Sequence, residues 1–551
     1  MLTGPIRHLH QMLLCLVTVI LSAMSCSKSP QEENLQSDGE NTRVTIRAEK
    51  EALIRNPMNG WVMYLGRSWN ENFWTNPDAG YSPYDEMPTS EGTTVKVSDY
   101  ASTAYLRTSW AALNPSEGEY VWKDKNHRIT KMLQSCLDRG LKLAFRIVID
   151  GRDQGQNTPL YVFDAGAEYF TSGNVKSPYP EDPVFQAKYE KFLTAFAEEF
   201  NDPDKVDFID GFSLGKWGEA HALVFKDNKN KLPVFEWKTS LYSRLFTKVP
   251  LFINYHRTIG DYNQNSWSDN PNKDSEAMIA SAVEKGYSLR HDAFGMYTYY
   301  RDWEKQIAAK YNYKRPIAME GGWITDGTHR YWIYELELAN GIKENAPETV
   351  RQAEFNMSRE ARVNLMDLRV HAEIESFFGD TFHLVKEFIA TGGYRLCPTI
   401  VSVPSEVEPG QTVRIESRWS NYGWGYCPNN IPQWNYKYKG AVAVLNSTGK
   451  PIQIYVDDAI EPSEWKQNAY KEYTTEFKLD ELTPGTYVWA VGIVDKTKDN
   501  KPGINLAAAS NRLTKDGWVK VQSFTVKENQ TDIYETVFIS YCFFDSPITS
   551  C

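Results

Sequence analysis

Two glutamates and one serine are the residues whose types and neighbours could carry out chemistry. Glu219 follows Trp217 in "KWGEAH", and Glu320 precedes Trp323 in "AMEGGW". Ser213 is the serine of "GFSLG", which matches the G-x-S-x-G turn that presents a serine nucleophile. A pair of carboxyl groups can supply a general acid and a nucleophile, whereas a serine needs a histidine and an acid as partners. The elements that carry these residues decide between the two chemistries.

The segment from about residue 50 to 392 alternates between short apolar runs and amphipathic helices, which predicts parallel strands covered by helices on both faces. Eight such repeats predict an α/β fold of the (β/α)8 TIM-barrel type. An open doubly wound sheet would be expected to have fewer strands and a glycine-rich phosphate loop, which we do not find. The predicted strands are 60–65, 101–107, 143–150, 208–215, 251–256, 289–295, 317–320 and 370–377, and one predicted helix covers 348–367.

Past residue 393 the pattern changes to alternating strands separated by Pro-Gly and Thr-Gly turns. This pattern is typical of an immunoglobulin-like β-sandwich. The predicted organisation is a lipoprotein signal peptide, a flexible tether, a barrel that carries the candidate catalytic residues, the sandwich and a tail. Their ranges are 1–25, 26–45, 46–393, 394–527 and 528–551.

The N-terminus predicts export. An apolar run at 12–23 follows two basic-type residues and ends in "AMSC", a small-residue pattern before a cysteine that resembles a bacterial lipobox. We expect cleavage before Cys26 and a lipid anchor on that cysteine. The anchor would hold the protein on the outer membrane of the bacterial cell envelope, and the sequence does not decide between its periplasmic and its outer surface. The alternative is an ordinary secretory signal with an incidental cysteine.

Composition narrows the class of partner. The net charge of -11 argues against a nucleic-acid partner, and 17 Trp with 32 Tyr weakly favour a carbohydrate. The seven cysteines follow no metal-binding spacing. Hydrolysis by two glutamates would need no metal or nucleotide, so no cofactor is expected. Cys397 and Cys427 could pair, a question that the sequence leaves open, as it does the oligomeric state. The expected contact with a membrane is through the lipid anchor only.

Active sites of (β/α)8 barrels lie at the C-terminal ends of the strands. Glu219 after strand four and Glu320 at the end of strand seven would face each other across the mouth. Retaining glycosidases need such a pair, roughly 5–5.5 Å apart, in which one carboxylic acid protonates the leaving oxygen and the other attacks the anomeric carbon. We expect Trp217 to help keep the proton on Glu219, and Arg107 or His256 to keep Glu320 ionised. The candidate substrate-binding residues are Arg107, Trp110, Arg146, Asp150, Trp217, Asn254, His256, Asp292 and Trp323.

The serine chemistry is less well supported. A serine nucleophile of this kind stands on a sharp turn from a strand directly into a helix. The residues after Gly215 do not begin an amphipathic helix, and the next clear helical pattern starts near Pro233. We therefore favour the two glutamates and expect Ser213 to be a small residue that faces the barrel interior.

One segment resembles a known group of enzymes. "SWAALNPSEGEYVW" at 109–122 resembles the stretch after strand two in many clan A glycoside hydrolases. In that clan the acid/base follows strand four and the nucleophile follows strand seven, so the resemblance implies these roles for Glu219 and Glu320. The chain departs at one position, because clan A acids usually follow an asparagine that binds the sugar 2-hydroxyl, and here Gly218 takes that place.

Three further segments resemble a group of bacterial exported proteins with a C-terminal domain of unknown function numbered 4832. They are "NPMNGW", "GKWGEAH" and "YRLCPTIVSVPSEVEPGQTVRIESRWSNYG". This resemblance covers most of the mature chain and implies a barrel plus a sandwich.

Our first hypothesis is a retaining glycoside hydrolase that acts on a polysaccharide or oligosaccharide. The alternatives are a non-catalytic surface glycan-binding lipoprotein on a degenerate barrel, suggested by Gly218, and a scaffold in a surface complex.

Overall fold

The computed structural model describes residues 41–65, 72–75, 81–152, 154–261, 271–322, 333–369 and 371–528. Within these ranges the chain forms a closed parallel barrel and a β-sandwich of two sheets. A search of the same ranges for a helix with the length and apolar character of a membrane span finds none.

Eight parallel strands close the barrel, and each pairs with the next along the chain. The predicted fold class, a (β/α)8 barrel followed by a β domain, is therefore confirmed. The strands are β1 Gly60–Leu65, β2 Ala101–Ser109, β3 Lys142–Val148, β4 Val206–Asp210, β5 Leu251–Asn254, β6 Tyr287–Phe294, β7 Ile317–Gly321 and β8 Leu365–Leu368.

Amphipathic helices cover the barrel. Leu133 and Cys136 belong to the buried face of α1, which repeats every three to four residues and packs on the sheet. Asp182 caps α2 because its side chain accepts a hydrogen bond from the Phe185 backbone N–H. The principal helices are α1 Arg128–Asp138, α2 Pro183–Phe200, α3 Lys231–Leu245, α4 Ser275–Glu284, α5 Asp302–Tyr311, α6 Pro347–Glu360 and α7 Phe382–Thr391. Shorter helices are Val97–Tyr100, Trp110–Leu113, Leu160–Asp164, Glu335–Ala339 and His371–Glu375.

The predictions for strand eight and for the helix before it were wrong. α6 ends at Glu360, and Arg362 has a left-handed φ of 55° without the glycine that usually signals such an end. β8 then follows at Leu365–Leu368 and pairs with β1, while most of the predicted strand forms the short helix His371–Glu375. A four-residue strand that contains Asp367 resembles a last helical turn in sequence, which explains the error. Val370 lies outside the described residues.

The sandwich consists of two sheets, and its first strand comes from before the barrel. Asn41–Thr45 pairs antiparallel with Leu396–Pro404, so the predicted tether cannot extend to residue 45. The first sheet has the order Asn41–Thr45, Leu396–Pro404, Thr412–Asn421 and Tyr470–Lys478. The second has the order Glu406–Val407, Val519–Val526, Gly485–Asp495, Tyr438–Leu445 and Pro451–Asp457, with Lys501–Ile504 added beside Gly485–Asp495.

The sandwich closes the N-terminal end of the barrel. Residues directly before β1, β6 and β8 all contact it. Asn59 accepts a hydrogen bond from the Tyr394 N–H at 2.7 Å, and Gln433 donates one to the carbonyl of Gly286. Asn364 donates to the carbonyl of Tyr426 in the sandwich and to that of Met58 in the barrel. The apolar barrel interior and the sandwich core form one continuous cluster. The barrel residues in that cluster are Val62, Tyr64, Tyr105, Ala144, Phe208, Phe252, Ala318 and Leu365. The opposite, C-terminal end therefore remains for a functional site.

The substitution Asn364→Ala tests this closure. It leaves two buried carbonyl acceptors without their donor, so we expect the free energy of unfolding to fall by about 1–3 kcal/mol. Urea or thermal unfolding measures the change. Asn356, which is exposed on α6, provides the matched control, and Asn356→Ala should change stability by less than about 0.5 kcal/mol. Equal effects of the two substitutions would contradict the proposed contribution of Asn364.

Candidate active site

One guanidinium group connects three carboxylates at the C-terminal end of the barrel. Arg146 on β3 donates from Nε to Asp210 at 2.8 Å, from Nη1 to Glu219 at 3.0 Å and from Nη2 to Glu320 at 2.7 Å. Arg146 and Asp210 are neighbours because β3 pairs with β4 in that register. All four side chains are buried, so each charge depends on its partners in place of water.

The two predicted catalytic glutamates therefore lie close together. Their bonded oxygens can be no more than roughly 8 Å apart, because both accept hydrogen bonds from one planar guanidinium. Glycosidases place their two carboxyl groups roughly 5–5.5 Å apart for retention and 6.5–9.5 Å apart for inversion. The structure thus brings Glu219 and Glu320 within the range that such chemistry needs.

Three arginines surround Glu320. Besides Arg146, Arg290 donates from Nη2 to Oε2, and Arg369 donates from Nη1 to Oε1 at 3.1 Å. The negative charge of Glu320 is thus compensated from β3, from β6 and from the end of β8. Of these three arginines only Arg146 was among the predicted site residues. Arg107 on β2 lies opposite Arg146 on β3 in the register of the sheet. Its positive charge opposes the rise in the pKa of Glu219.

Glu219 lies on a tightly turned loop after β4. The His221 carbonyl accepts a hydrogen bond from the Lys216 N–H at 3.1 Å, which closes the loop on itself. Asn254 at the end of β5 donates to the Glu219 carbonyl at 3.1 Å, so this predicted site residue fixes the backbone of the candidate acid. A Cβ on Gly215 would lie 2.3 Å from the His221 carbonyl oxygen, which explains the glycine there.

The position before Glu219 is occupied by a glycine that Arg146 crowds. Gly218 has a φ of 77°, and a Cβ there would lie 3.3 Å from Cδ of Arg146. Asparagine tolerates a left-handed backbone, but its side chain would press on the arginine that joins the carboxylates. Gly218 is therefore matched to Arg146.

Burial and a second carboxylate control the charge of Glu219. Burial raises the pKa of Glu219 well above its ordinary value, and Asp292 on β6 raises it further despite Arg146. Burial alone would raise the pKa of Asp292, but His291 and a hydrogen bond from Glu219 hold it well below its ordinary value. Two carboxyl groups in contact cannot both ionise easily, and the opposite directions of the two pKa shifts favour a proton on Glu219 over one on Asp292.

Three buried histidines stand beside this pair. The His221 and His256 rings stack at 5.5 Å, as do the His256 and His291 rings. Burial lowers the pKa of His221 to about 4 and that of His291 to about 4, and it lowers the pKa of His256 well below its ordinary value. Neutral imidazoles are potential metal ligands, and one atom each of Glu219, His221 and Asp292 lies within 4.8 Å of the other two.

Two predicted substrate-binding residues lie away from this cluster, and a third lies at its edge. Trp110 is completely buried beneath α2 among aromatic rings such as Tyr189 and Phe192, so the prediction of substrate contact was wrong for it. Asp150 is ion-paired with Arg152, which donates to the Ala222 carbonyl at 2.5 Å and thereby braces the Glu219 loop. The Trp217 carbonyl accepts a hydrogen bond from Arg146 at 3.5 Å, and the Trp217 ring lies 5.9 Å from the His221 ring.

The mouth of the barrel is only partly described. Arg107 lines a cavity of about 180 Å³ with Ser109, Gln154 and Asn157 between the ends of β2 and β3. A larger groove of about 790 Å³ lies on the sandwich, and neither is lined by the two glutamates. Residues 66–71, 262–270 and 323–332, which follow β1, β5 and β7, lie outside the described ranges, and so does Trp323.

The structure contradicts the serine alternative. Ser213 has a φ of 69°, but its hydroxyl is fully buried and bonds to the hydroxyls of Tyr189 at 3.2 Å and Tyr242 at 2.6 Å. These tyrosines belong to α2 and α3, so Ser213 faces the helix layer. The prediction that it faces the barrel interior was wrong. A nucleophile there would have no route to a substrate at the mouth.

The three cysteines that the structure describes add no chemistry to the site. Cys136, Cys397 and Cys427 are buried free thiols, so the possible disulfide between the last two is not formed. Cys26 lies outside the described residues, and its lipidation stays a prediction.

Sequence reasoning missed Asp210, His221, Arg290 and Arg369 as site residues. Asp210 and Arg290 could have been found from the alternation of inward-facing positions with Phe208 and Asp292. Arg369 was missed because strand eight was misplaced. His221 is close to Glu219 in sequence, and the loop conformation brings its Nε2 to 3.2 Å from Glu219 Oε2.

Comparison with known proteins gives distant similarity only. The chain matches no family profile and none of the curated proteins. Xylanase 10B from Thermotoga maritima is 12% identical over 63% of this chain and 98% of its own, with a TM-score of 0.36. A GH30 endoxylanase from Clostridium papyrosolvens is 10% identical over 79% and 96%, with a TM-score of 0.32. A GH5-4 endoglucanase from an uncultured bacterium is 12% identical over 63% and 96%, with a TM-score of 0.35. The barrel assignment depends on the strand order of this chain.

Arg146→Met tests the charge network. The substitution keeps most of the volume but removes the cation and the donor shared by three buried carboxyl groups, so we expect a loss of about 3–5 kcal/mol in unfolding free energy. Arg146→Lys should be intermediate, because one ammonium cannot reproduce the planar fork. Arg128 is exposed on α1, and Arg128→Met should cost less than about 0.5 kcal/mol. Denaturant unfolding compares the three. Wild-type stability in Arg146→Met would show that the network does not hold this end of the barrel.

Proposed function

We propose that the protein is a retaining glycoside hydrolase that acts on a polysaccharide or oligosaccharide, with Glu219 as acid/base and Glu320 as nucleophile. The observation that carries the proposal is the contrast between two carboxyl groups that share Arg146. Glu219 keeps its proton because it is buried against Asp292, whereas Glu320 is surrounded by three guanidinium groups. A retaining glycosidase needs one protonated and one ionised carboxyl group, roughly 5–5.5 Å apart.

In the first step the Glu219 proton would move to the glycosidic oxygen as the bond to the anomeric carbon breaks. A carboxylate oxygen of Glu320 would bond to that carbon from the opposite face and form a glycosyl-enzyme ester. Arg146, Arg290 and Arg369 hold Glu320 in place, and they stabilise its charge before attack. The proposal requires the substrate to displace some of these hydrogen bonds, because an oxygen held by several donors is a weaker nucleophile.

In the second step the deprotonated Glu219 would take a proton from a water molecule, whose oxygen attacks the anomeric carbon and releases Glu320. Asp292 raises the proton affinity of Glu219, which helps this step as well as the first. Two successive displacements at one carbon leave its configuration unchanged. The sugar and its linkage depend on loops at the mouth and are not part of the proposal.

We also propose export to the bacterial envelope with a lipid anchor on Cys26. Support comes from the apolar run and the "AMSC" sequence before the first described strand. A carbohydrate-active enzyme on the outer membrane would meet its polymeric substrate without transport. A sandwich that closes the far end of the barrel leaves the candidate active site directed away from it.

A second function has two observations in its favour. Arg146 occupies the space between the two carboxylates, and Gly218 takes the place of the asparagine that binds the 2-hydroxyl in clan A. Both features suit a barrel that binds a glycan without cleaving it. Tight binding to a glycan with no release of reducing sugar would favour this alternative.

Substitution of the two glutamates tests the mechanism. Glu320→Gln removes the attacking carboxylate, so turnover should fall by about 10⁴-fold or more on every substrate. Glu219→Gln should slow polysaccharide hydrolysis by about 10²–10⁴-fold. It should slow release of 4-nitrophenol much less, because that leaving group needs no proton. Reducing-sugar release on a polysaccharide panel and NMR of the first-formed anomer provide the measurements.

The matched control is Glu481→Gln, an exposed glutamate in the sandwich that should leave turnover unchanged. Normal turnover in Glu320→Gln would contradict the proposed nucleophile. Inversion at the anomeric carbon would contradict the double displacement and would indicate single displacement by water.

Cys26→Ser tests the anchor. The serine variant cannot be lipidated, so we expect the protein to move from the membrane fraction to the soluble fraction of the envelope. Fractionation followed by metabolic labelling with a fatty acid measures both effects. An unlabelled wild-type protein in the soluble fraction would leave only a secretory signal.

A further inference from the structure

We propose that Glu219, His221 and Asp292 bind one divalent cation of the zinc type, and that the bound ion blocks the acid of the hydrolase. Binding is independent of the proposed function, whereas the block rests on it. The cation is not a cofactor for the reaction. It competes with the proton that the reaction uses.

The first argument is the geometry of the three ligand atoms. Glu219, His221 and Asp292 each offer one such atom, and all three lie within 4.8 Å of one another. His221 Nε2 lies 3.2 Å from Glu219 Oε2. Zinc bonds nitrogen and oxygen at roughly 2.0–2.2 Å, which places the ligands of a tetrahedral ion roughly 3.5 Å apart. Movements of about 1 Å or less would therefore close these three side chains around an ion.

The second argument is the type of donor. One imidazole nitrogen with two carboxylate oxygens suits zinc and other transition metals, whereas calcium and magnesium prefer oxygen ligands alone. Three protein ligands leave a fourth position for water, which is typical of an exchangeable site and not of a closed structural one. The site therefore favours zinc, cobalt or manganese as the ion.

The third argument is an oxygen without a hydrogen bond. Asp292 Oδ1 has no hydrogen-bond partner among the described residues, although its side chain is only 7% exposed. The nearest polar group is His291 Nδ1 at 3.5 Å. That nitrogen already accepts a hydrogen bond from the Ala293 N–H at 3.2 Å, so it carries no proton to offer. A buried carboxylate oxygen without a donor is costly, and a cation would compensate it.

The surroundings hold the ligands in place. Arg146 binds Glu219 through Oε1, which leaves Oε2 on the side of His221. Asn254 fixes the Glu219 backbone, and the His221 carbonyl closes the loop. Second-layer contacts of this kind orient metal ligands. The positive charges of Arg146 and Arg107 oppose a second cation, so we expect reversible binding in the micromolar range and not a permanent ion.

The consequence for the hydrolase follows from the shared atom. An ion bonded to Glu219 Oε2 excludes the proton that Glu219 donates to the leaving oxygen. Zinc should therefore inhibit hydrolysis, and a chelator should restore it. Availability of the metal would then regulate turnover.

Calorimetric titration of chelator-treated full-length protein with zinc chloride tests the site. We expect one zinc ion per chain. His221→Gln and Asp292→Asn should each weaken binding by about 100-fold. His383 is an exposed histidine on α7, and His383→Gln should change neither binding nor turnover. Cobalt chloride gives a second readout, because its visible absorption should appear in wild-type and be lost in both ligand variants.

Several outcomes would overturn the proposal. The site is refuted if zinc does not bind saturably, or if both ligand variants bind it as wild-type does. Faster hydrolysis with bound zinc would refute the block. Circular dichroism checks the folding of each variant. A zinc-dependent rise in the Tm of wild-type protein tests binding without any variant, and no rise would count against the site.

The two proposals fail separately. If the protein binds zinc through these residues but cleaves no glycan, the metal site stands and the hydrolase does not. If the protein cleaves glycans and zinc neither binds nor inhibits, the hydrolase stands and the metal site is refuted.

Discussion

Compensation of buried charge is the constraint on which the upper half of the barrel, at the C-terminal ends of its strands, depends. Arg146 holds three carboxylates with one guanidinium, and Arg290 and Arg369 complete the compensation of Glu320. Ionised groups are tolerated away from water only when opposite charges and hydrogen bonds replace their hydration. Each member of this network therefore depends on the others. The effect of a substitution in this network on stability therefore depends more on the charge and the number of hydrogen-bond donors of the new side chain than on its volume.

Apolar packing in the lower half balances that cost. The barrel interior continues into the sandwich core, and the first sandwich strand is formed by residues before the barrel. Tyr105 marks the boundary between the halves, because its ring belongs to the apolar cluster while its hydroxyl donates to Asp210 at 3.1 Å. The sandwich thus stabilises the barrel. This stabilisation offsets the cost of burying charged groups at the end that holds the candidate active site.

The sequence predicted the order of elements better than the details that build the site. Strand-end reasoning found Glu219 and Glu320 because the period of alternating strands and helices is a strong signal. It failed where the backbone departs from the preferences of its residues. Arg362 ends α6 in a left-handed conformation without a glycine, and this hid β8 and Arg369. The loop before His221 has the same character, with left-handed residues of which Ser213, Trp217 and Ala220 are not glycine. Tertiary contacts determine such backbones, and local sequence does not record them.

One strand places groups of opposite charge beside the two glutamates. Arg290 and Asp292 are two residues apart on β6, and side chains with that spacing point to the same face of a strand. Arg290 bonds to Glu320, whereas Asp292 bonds to Glu219. The same strand thus places a cation on one carboxyl group and an anion on the other. A slip of β6 by one residue would turn both side chains out of the barrel. β5 and β7 pair with β6 on both sides as far as Arg290, so the hydrogen bonding of the barrel fixes the cation beside Glu320, the proposed nucleophile. Asp292 follows two residues later, where the pairing of β6 with β7 becomes irregular, and there it meets Glu219, the proposed acid.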